Sequence, residues 1–223
     1  MSCGIFGKLP SRRDFIAYGV ERPLLGLIEN WLQASVAMSR DVMGNEWRDA
    51  FLSAPIWRFW LGAQVAPTAT AGALMPSVDG VGRYFPLSVI AASDQAHEIP
   101  PPPDEGLDAW CAAAEALLLR CLEDDPGGEP AALAQSLPLP PMRPVGKNSA
   151  QPGVPRVWVA EDGSLAGAFA ALASADAATL HSRQSYWWTL GGEHHPAQLW
   201  AVEGMPRPEL FATFINGLSG GHP

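Results

Sequence analysis

Two short blocks carry most of the groups able to do chemistry: Gly7-Lys8-Leu9-Pro10-Ser11-Arg12-Arg13-Asp14-Phe15, and Leu74 to Leu87, which reads LMPSVDGVGRYFPL. Asp79-Gly80 is a turn signal, and Gly80 and Gly82 each accept φ > 0 at little steric cost. Arg83 comes after that turn and precedes an aromatic strand, where a charge needs a partner because an unpaired buried charge is costly. Three chemistries are open. Lys8, Arg12 and Arg13, with Arg83, would make a basic patch that receives an acidic or phosphorylated segment through bidentate arginine contacts. Asp14, Asp79 and Arg83 would instead make a structural polar cluster, with the carboxylates accepting from turn amides and pairing with Arg83. These two uses are compatible if Arg83 is structural and Arg12 and Arg13 are exposed. The third places Asp14, Asp79 and Arg83 in an enzyme's cleft and requires a concave pocket with a perturbed carboxylate.

Other constellations are poorer. His194 and His195 are adjacent before Pro196 and have no third ligand nearby, so no metal site is expected. Ser185, His181 and Asp176 supply the residue types of a hydrolase, but the chain has no Gly-x-Ser-x-Gly elbow. It also lacks a Walker-type Gly-Lys-Ser/Thr and a strand-borne Gly-x-Gly-x-x-Gly, so neither a nucleotide nor any other cofactor is expected. The three cysteines are Cys3, Cys111 and Cys121. Cys111 and Cys121 share one expected helix, about 15 Å apart by helical rise, beyond the roughly 7 Å a disulfide spans. All three read as buried apolar thiols.

The elements that must position these groups are set by periodicity. Cys3 to Leu9 predicts a strand, and Pro10 to Tyr18 a polar, basic loop. Leu24, Ile28, Trp31, Leu32 and Val36 share one face of a helix over Pro23 to Val42, with Pro23 suited to its first turn. A short helix comes next over Glu46 to Ser53. Ile56 to Gly62 is a nearly continuous apolar run, expected as a strand buried on both faces. Two more strands, Gly72 to Met75 and Leu87 to Ala92, flank the Asp79 turn. Leu107, Trp110, Cys111, Ala114, Leu117, Leu118, Cys121 and Leu122 mark the clearest helix, and a further short one is expected near Glu129 to Leu137. Arg156 to Ala160 reads as a strand and Leu165 to Ala175 as a helix. Tyr186 to Leu190 and Gln198 to Val202 read as two strands, with a last helix over Arg207 to Leu218. Trp187 and Trp188 must point to opposite faces of their strand. The pattern predicts an α/β (α+β) fold: a mixed, partly antiparallel sheet with helices on both faces, a three-layer sandwich. One domain over residues 1–223 is expected, with a possible internal break near 100–104 at the prolines and a long loop over 138–155.

Composition narrows the class. At 223 residues, 48% apolar and 17% charged, the chain can build a sizeable core. A formal net charge of −9 disfavours nucleic acid and anionic lipid surfaces. No apolar h-region precedes Lys8, and no run approaches the roughly 20 apolar residues of a membrane span. A cytoplasmic location, without membrane insertion, is the expectation.

The two blocks, together with three later segments, resemble the TagF family (also called ImpM), accessory proteins of bacterial type VI secretion systems. Tyr18-Gly19-Val20 closes the first block. Leu52-Ser53-Ala54-Pro55-Ile56-Trp57-Arg58-Phe59 resembles the family's SAPIWRF segment, and Ser185-Tyr186-Trp187-Trp188-Thr189-Leu190-Gly191 its S-x-W-W-T-x-G segment. Gly204-Met205-Pro206, then Phe211 and Leu218, is similar to its C-terminal close. One position departs: Arg13 stands where the family carries glycine, and arginine would strain a left-handed backbone there. The resemblance implies a non-enzymatic, post-translational repressor of type VI secretion, which binds the system's cytoplasmic forkhead-associated scaffold protein and holds back assembly. The contact surface expected from charge and exposure comprises Lys8, Arg12, Arg13 and part of the 138–155 loop. The alternatives are a positive assembly factor of the secretion apparatus, or an enzyme built on the Asp14, Asp79 and Arg83 cleft.

Overall fold

The computed structural model describes residues 3–123, 129–145, 165–193 and 195–216. Its elements in chain order are β1 (Gly4–Gly7), β2 (Ile16–Tyr18), α1 (Arg22–Met43), α2 (Trp47–Ser53), β3 (Trp57–Leu61), β4 (Thr70–Met75), β5 (Leu87–Ala92) and β6 (His97–Glu98). Then come α3 (Glu105–Arg120), α4 (Pro130–Ser136), β7 (Arg143–Pro144), α5 (Leu165–Ser182), β8 (Gln184–Thr189), β9 (Gln198–Glu203) and α6 (Phe211–Asn216). Seven strands form one sheet in the order β2-β1-β5-β4-β3-β8-β9, and every neighbouring pair is antiparallel. β6 and β7 pair separately as a two-stranded ribbon.

The central strands have apolar side chains on both faces because helices cover both. On one face, Leu24, Ile28, Trp31 and Leu32 of α1 pack with Trp47 and Phe51 of α2, Trp57 and Phe59 of β3, and Phe211 and Phe214 of α6. On the other, Leu107, Trp110, Cys111, Ala114 and Leu118 of α3 and Leu133 of α4 cover Trp60, Ala71, Ala73, Val89 and Ala91. The result is three layers, helix, sheet and helix. β4 is narrow where β3 is wide: Gly72 lies opposite Phe59, whose ring fills the space a Cβ would take. α3 starts as its sequence dictates, with the Asp104 carboxylate accepting from the Leu107 amide at 2.8 Å and Glu105 and Asp108 in the first turn.

One charge enters the second layer. Arg58 of β3 is buried under α3, where its Nε and Nη2 donate to the two carboxylate oxygens of Glu115 at 2.6 and 3.1 Å. Asp108 lies 3.6 Å from its Nη1. This bidentate geometry is what lets a guanidinium leave water beneath an apolar helix.

The sequence expectation and the structure differ in particulars. Ile16–Tyr18, expected within a loop, pairs with β1 as an edge strand. α5 runs on from Ala175 to Ser182, and the last helix opens with a 3-10 turn over Pro208–Leu210. The strand expected at Arg156 to Ala160, and residues 146–155 of the long loop, lie outside the described residues. Near the proline run, the Ile99 carbonyl accepts from Trp60 Nε1 at 3.1 Å, which ties that connection to the sheet.

Cys3, Cys111 and Cys121 are all buried and unbridged. Burial pushes the Cys111 thiol up to about 12 and raises the other two. A thiol reagent such as Ellman's is therefore expected to find no fast-reacting cysteine in the native protein and all three after denaturation.

Candidate functional site

The turn between β4 and β5 is built around one carboxylate. The Gly82 amide donates to the Asp79 carbonyl and the Asp79 amide to the Arg83 carbonyl, each at 3.0 Å, and Gly82 takes φ 85°. The Asp79 side chain reaches back into the turn it opens. Its Oδ1 accepts from the backbone amides of Val81 (3.1 Å) and Arg83 (2.8 Å). Its Oδ2 accepts from Lys8 Nζ (2.5 Å) and Arg83 Nε (2.7 Å). An Asx turn and a double ion pair thus share one buried side chain.

The same turn holds the N-terminal block. Ser77 Oγ donates to the Lys8 carbonyl at 2.7 Å, the Gly80 amide to the Arg12 carbonyl at 2.8 Å, and Arg83 Nη2 to the Arg13 carbonyl. The Phe15 ring meets Phe85 edge-on at 4.8 Å, stacks near Phe6 at 6.0 Å, and lies beneath Lys8 Nζ. Gly7 is needed at the crossing, since φ 135° and a Cβ directed at the Pro86 carbonyl both exclude other residues.

Asp79 and Arg83 are therefore brought together, and two side chains stand elsewhere than the sequence suggested. Lys8, expected in an exposed patch with Arg12 and Arg13, is a buried internal partner of Asp79, with its side chain 5% exposed. Asp14, expected in the polar cluster, is exposed and makes no side-chain hydrogen bond or ion pair with the described residues. Arg12 and Arg13 are exposed. Arg12 pairs with Glu129 at the start of α4, while Arg13 contributes its carbonyl. The left-handed strain expected at Arg13 does not arise, because no non-glycine residue among those described has a positive φ.

Burial of Asp79 pushes its carboxyl upward, but the hydrogen bonds from Lys8, from Arg83 and from the Val81 amide outweigh that and hold it well below the usual carboxylate range. The unfolded chain then takes up this proton first as the pH falls. The cluster's stabilisation is complete above about pH 5 and is lost as pH drops through the unfolded carboxylate value, about 3.9, toward the folded one. Melting curves between neutrality and acid are expected to show the wild type losing stability more steeply below about pH 5 than Asp79→Asn, which has no proton to take up.

Two further arginines border this turn that the sequence did not single out. Arg40, in the last turn of α1, donates from Nη2 to the Tyr84 carbonyl at 3.3 Å and covers the Trp47 ring at 4.2 Å. Arg48 of α2 lies 5.7 Å over the Tyr84 ring. Helix-dipole preference accounts for Arg40 in sequence, but its proximity to residue 84 is a long-range fact.

The other sequence candidates are taken up internally. Ser185 Oγ donates to the Gly204 carbonyl at 2.6 Å and accepts from Trp187 Nε1 at 3.0 Å, whereas His181 Nδ1 faces the Tyr186 hydroxyl at 2.6 Å. His195 Nε2 sits 2.7 Å from the Ile215 carbonyl, and His194 lies outside the described residues. Among the described residues, no three His, Cys, Asp or Glu side chains gather as metal ligands, and no helix is long and apolar enough to cross a membrane. A cavity of about 300 Å³ lies at the other end of β5, bordered by Val20, Glu21, Leu24, Thr68, Ile90 and Asp94. The Asp79 cluster is not part of its lining.

Comparison with known proteins bears on the whole chain. Residues 4–137 match the family model described as TagF N-terminal domain, type VI secretion system-associated. The crystal structure of PA0076 from Pseudomonas aeruginosa PAO1 is similar over 100% of this chain and 97% of its own, with 31% identity and a TM-score of 0.78. A search of curated proteins returns no match.

Proposed function

Because this chain belongs to the type VI secretion-associated TagF family, we propose that it is a non-enzymatic, cytoplasmic repressor of that system, acting by binding its forkhead-associated scaffold protein and holding back assembly. The family match carries the reading. Its non-enzymatic part draws support from Asp79, whose two oxygens are occupied by four internal donors and whose pKa is lowered rather than raised. A general acid or base needs a carboxyl poised near neutrality with an open side toward substrate. Arg12 and Arg13 are exposed on a backbone fixed by the Asp79 turn, which suits a preformed docking surface.

Deleting the gene from a secretion-competent strain is expected to raise the amount of a type VI substrate in the medium, and a purified scaffold protein is expected to retain this chain in a pull-down. Lower secretion after deletion would make the protein a positive assembly factor instead. Absence of retention would remove the scaffold as the partner.

A further inference from the structure

Five of the chain's 14 lysines and arginines converge on one turn, although the net charge is −9. Arg83 lies in the turn. Arg12 and Arg13 are joined to it by their carbonyls, Arg40 by its bond to the Tyr84 carbonyl, and Arg48 by its place over the Tyr84 ring. All five are exposed. They come from four separate segments: the N-terminal loop, the end of α1, the start of α2 and the turn itself.

Their internal partners leave much of this charge available. Arg12 pairs with Glu129 and Arg83 with Asp79, while Arg40 gives one Nη to a carbonyl. Arg13 and Arg48 make no side-chain hydrogen bond or ion pair with the described residues. The carboxylates on the same segments, Asp14, Asp41, Glu46 and Asp49, form no ion pair with any of the five among the described residues. Apolar surface is interleaved: Phe15 is 45% exposed and Val81 55%.

We infer that this arginine belt around residues 79–84 is a docking surface for an acidic segment of a partner protein, one with several Asp or Glu residues beside an apolar side chain. The inference deepens the regulator reading, on which it rests for the existence of a protein partner. Spread decides the chemistry of the occupant. The guanidinium groups ride on four segments, and none lines the cavity near β5, so the belt is a track rather than a cradle for one phosphate. Several carboxylates along an extended segment match such a track, each through a fork-like arginine contact, with Phe15 and Val81 receiving the apolar residue.

The test is fluorescence anisotropy on the full chain, with a short fluorescein-labelled peptide of Asp and Glu around one Phe. Binding is expected to weaken with salt. It is expected to fall about tenfold or more in Arg13→Glu/Arg48→Glu, and to stay unchanged in Arg183→Glu, an exposed charge at the opposite end of the sheet. If the reversal pair melts below the wild type, Arg13→Ala/Arg48→Ala answers the same question by neutralisation. Equal binding by wild type and both double variants overturns the inference. Tighter binding of a peptide with one phosphothreonine and no Asp or Glu, or of phosphatidylserine vesicles, overturns the assignment to an acidic segment. The scaffold pull-down separates the two levels. Retention of wild type and double variant alike defeats the belt and spares the regulator reading; peptide binding without scaffold retention does the reverse.

Discussion

Asp79→Ala is expected to lower the melting temperature by roughly 10 °C. The substitution leaves the Lys8 ammonium buried without a carboxylate and the Val81 and Arg83 amides without their acceptor. Removing one member of a buried pair costs far more than the pair contributes, because the survivor keeps its desolvation penalty. Lys8→Met should cost less: the thioether fills the place of the alkyl stem, and Asp79 retains Arg83 and two amides. The expected order of stability is wild type, then Lys8→Met, then Asp79→Ala, read by circular dichroism or calorimetry. An Asp79→Ala protein melting within about 2 °C of wild type would show that the carboxylate does not hold the two loops together.

Trp187→Ala is expected to cost about 3–5 kcal/mol. The ring is 1% exposed and lies between Trp31 (centroids 4.6 Å apart), Phe59 (5.1 Å) and Phe214 (5.8 Å). It therefore joins α1, the sheet and α6 at one point, and the aromatic walls around it have little freedom to collapse into the space left. Trp188→Ala, one residue along, should cost roughly 1–2 kcal/mol, because that ring lies half-buried on the opposite face. Denaturant melts of the two variants measure the contrast. Equal losses would mean that the second face is as closely packed as the first.

That alternation was legible in the sequence, since successive strand residues must face opposite ways. So were α1 and α3, whose apolar spacing is long and regular, and β3 to β5, whose two-sided apolar character required helices on both faces. β2 was not legible: three residues, of which only Ile16 is buried, carry too little pattern to distinguish an edge strand from a loop. The polar cluster was legible in part. Asp79 and Arg83 are local to one turn, and their types and spacing announce a pair. From the sequence Lys8 reads as surface, because lysine is most often exposed, and only a contact across 71 positions of sequence draws it inside. Asp14 reads there as a second carboxylate pairing with Arg83, yet Arg83 takes Asp79 and the backbone carbonyl of Arg13 instead. Arg40 and Arg48 illustrate the same limit: helix position explains each residue's presence, and only the fold places both beside Tyr84.

The C-terminal helix has a consequence for how the chain is made. Three tryptophan or histidine ring nitrogens reach backbone carbonyls in it or just before it: Trp31 to Pro206 ahead of the helix, and Trp57 to Phe214 and His195 to Ile215 within it. Phe211, Phe214 and Ile215 complete the layer begun by α1 and α2, and β8 supplies the outer neighbour of β3. When the ribosome has just passed residue 137, where the family match ends, the apolar side of β3 is still open. At about 5–20 residues per second, the 79 residues from there to Asn216 take roughly 4–16 s to appear. For that interval the nascent chain exposes Trp57, Phe59 and an unpaired strand edge, so this layer closes only once β8 and the helix ending at Asn216 have emerged.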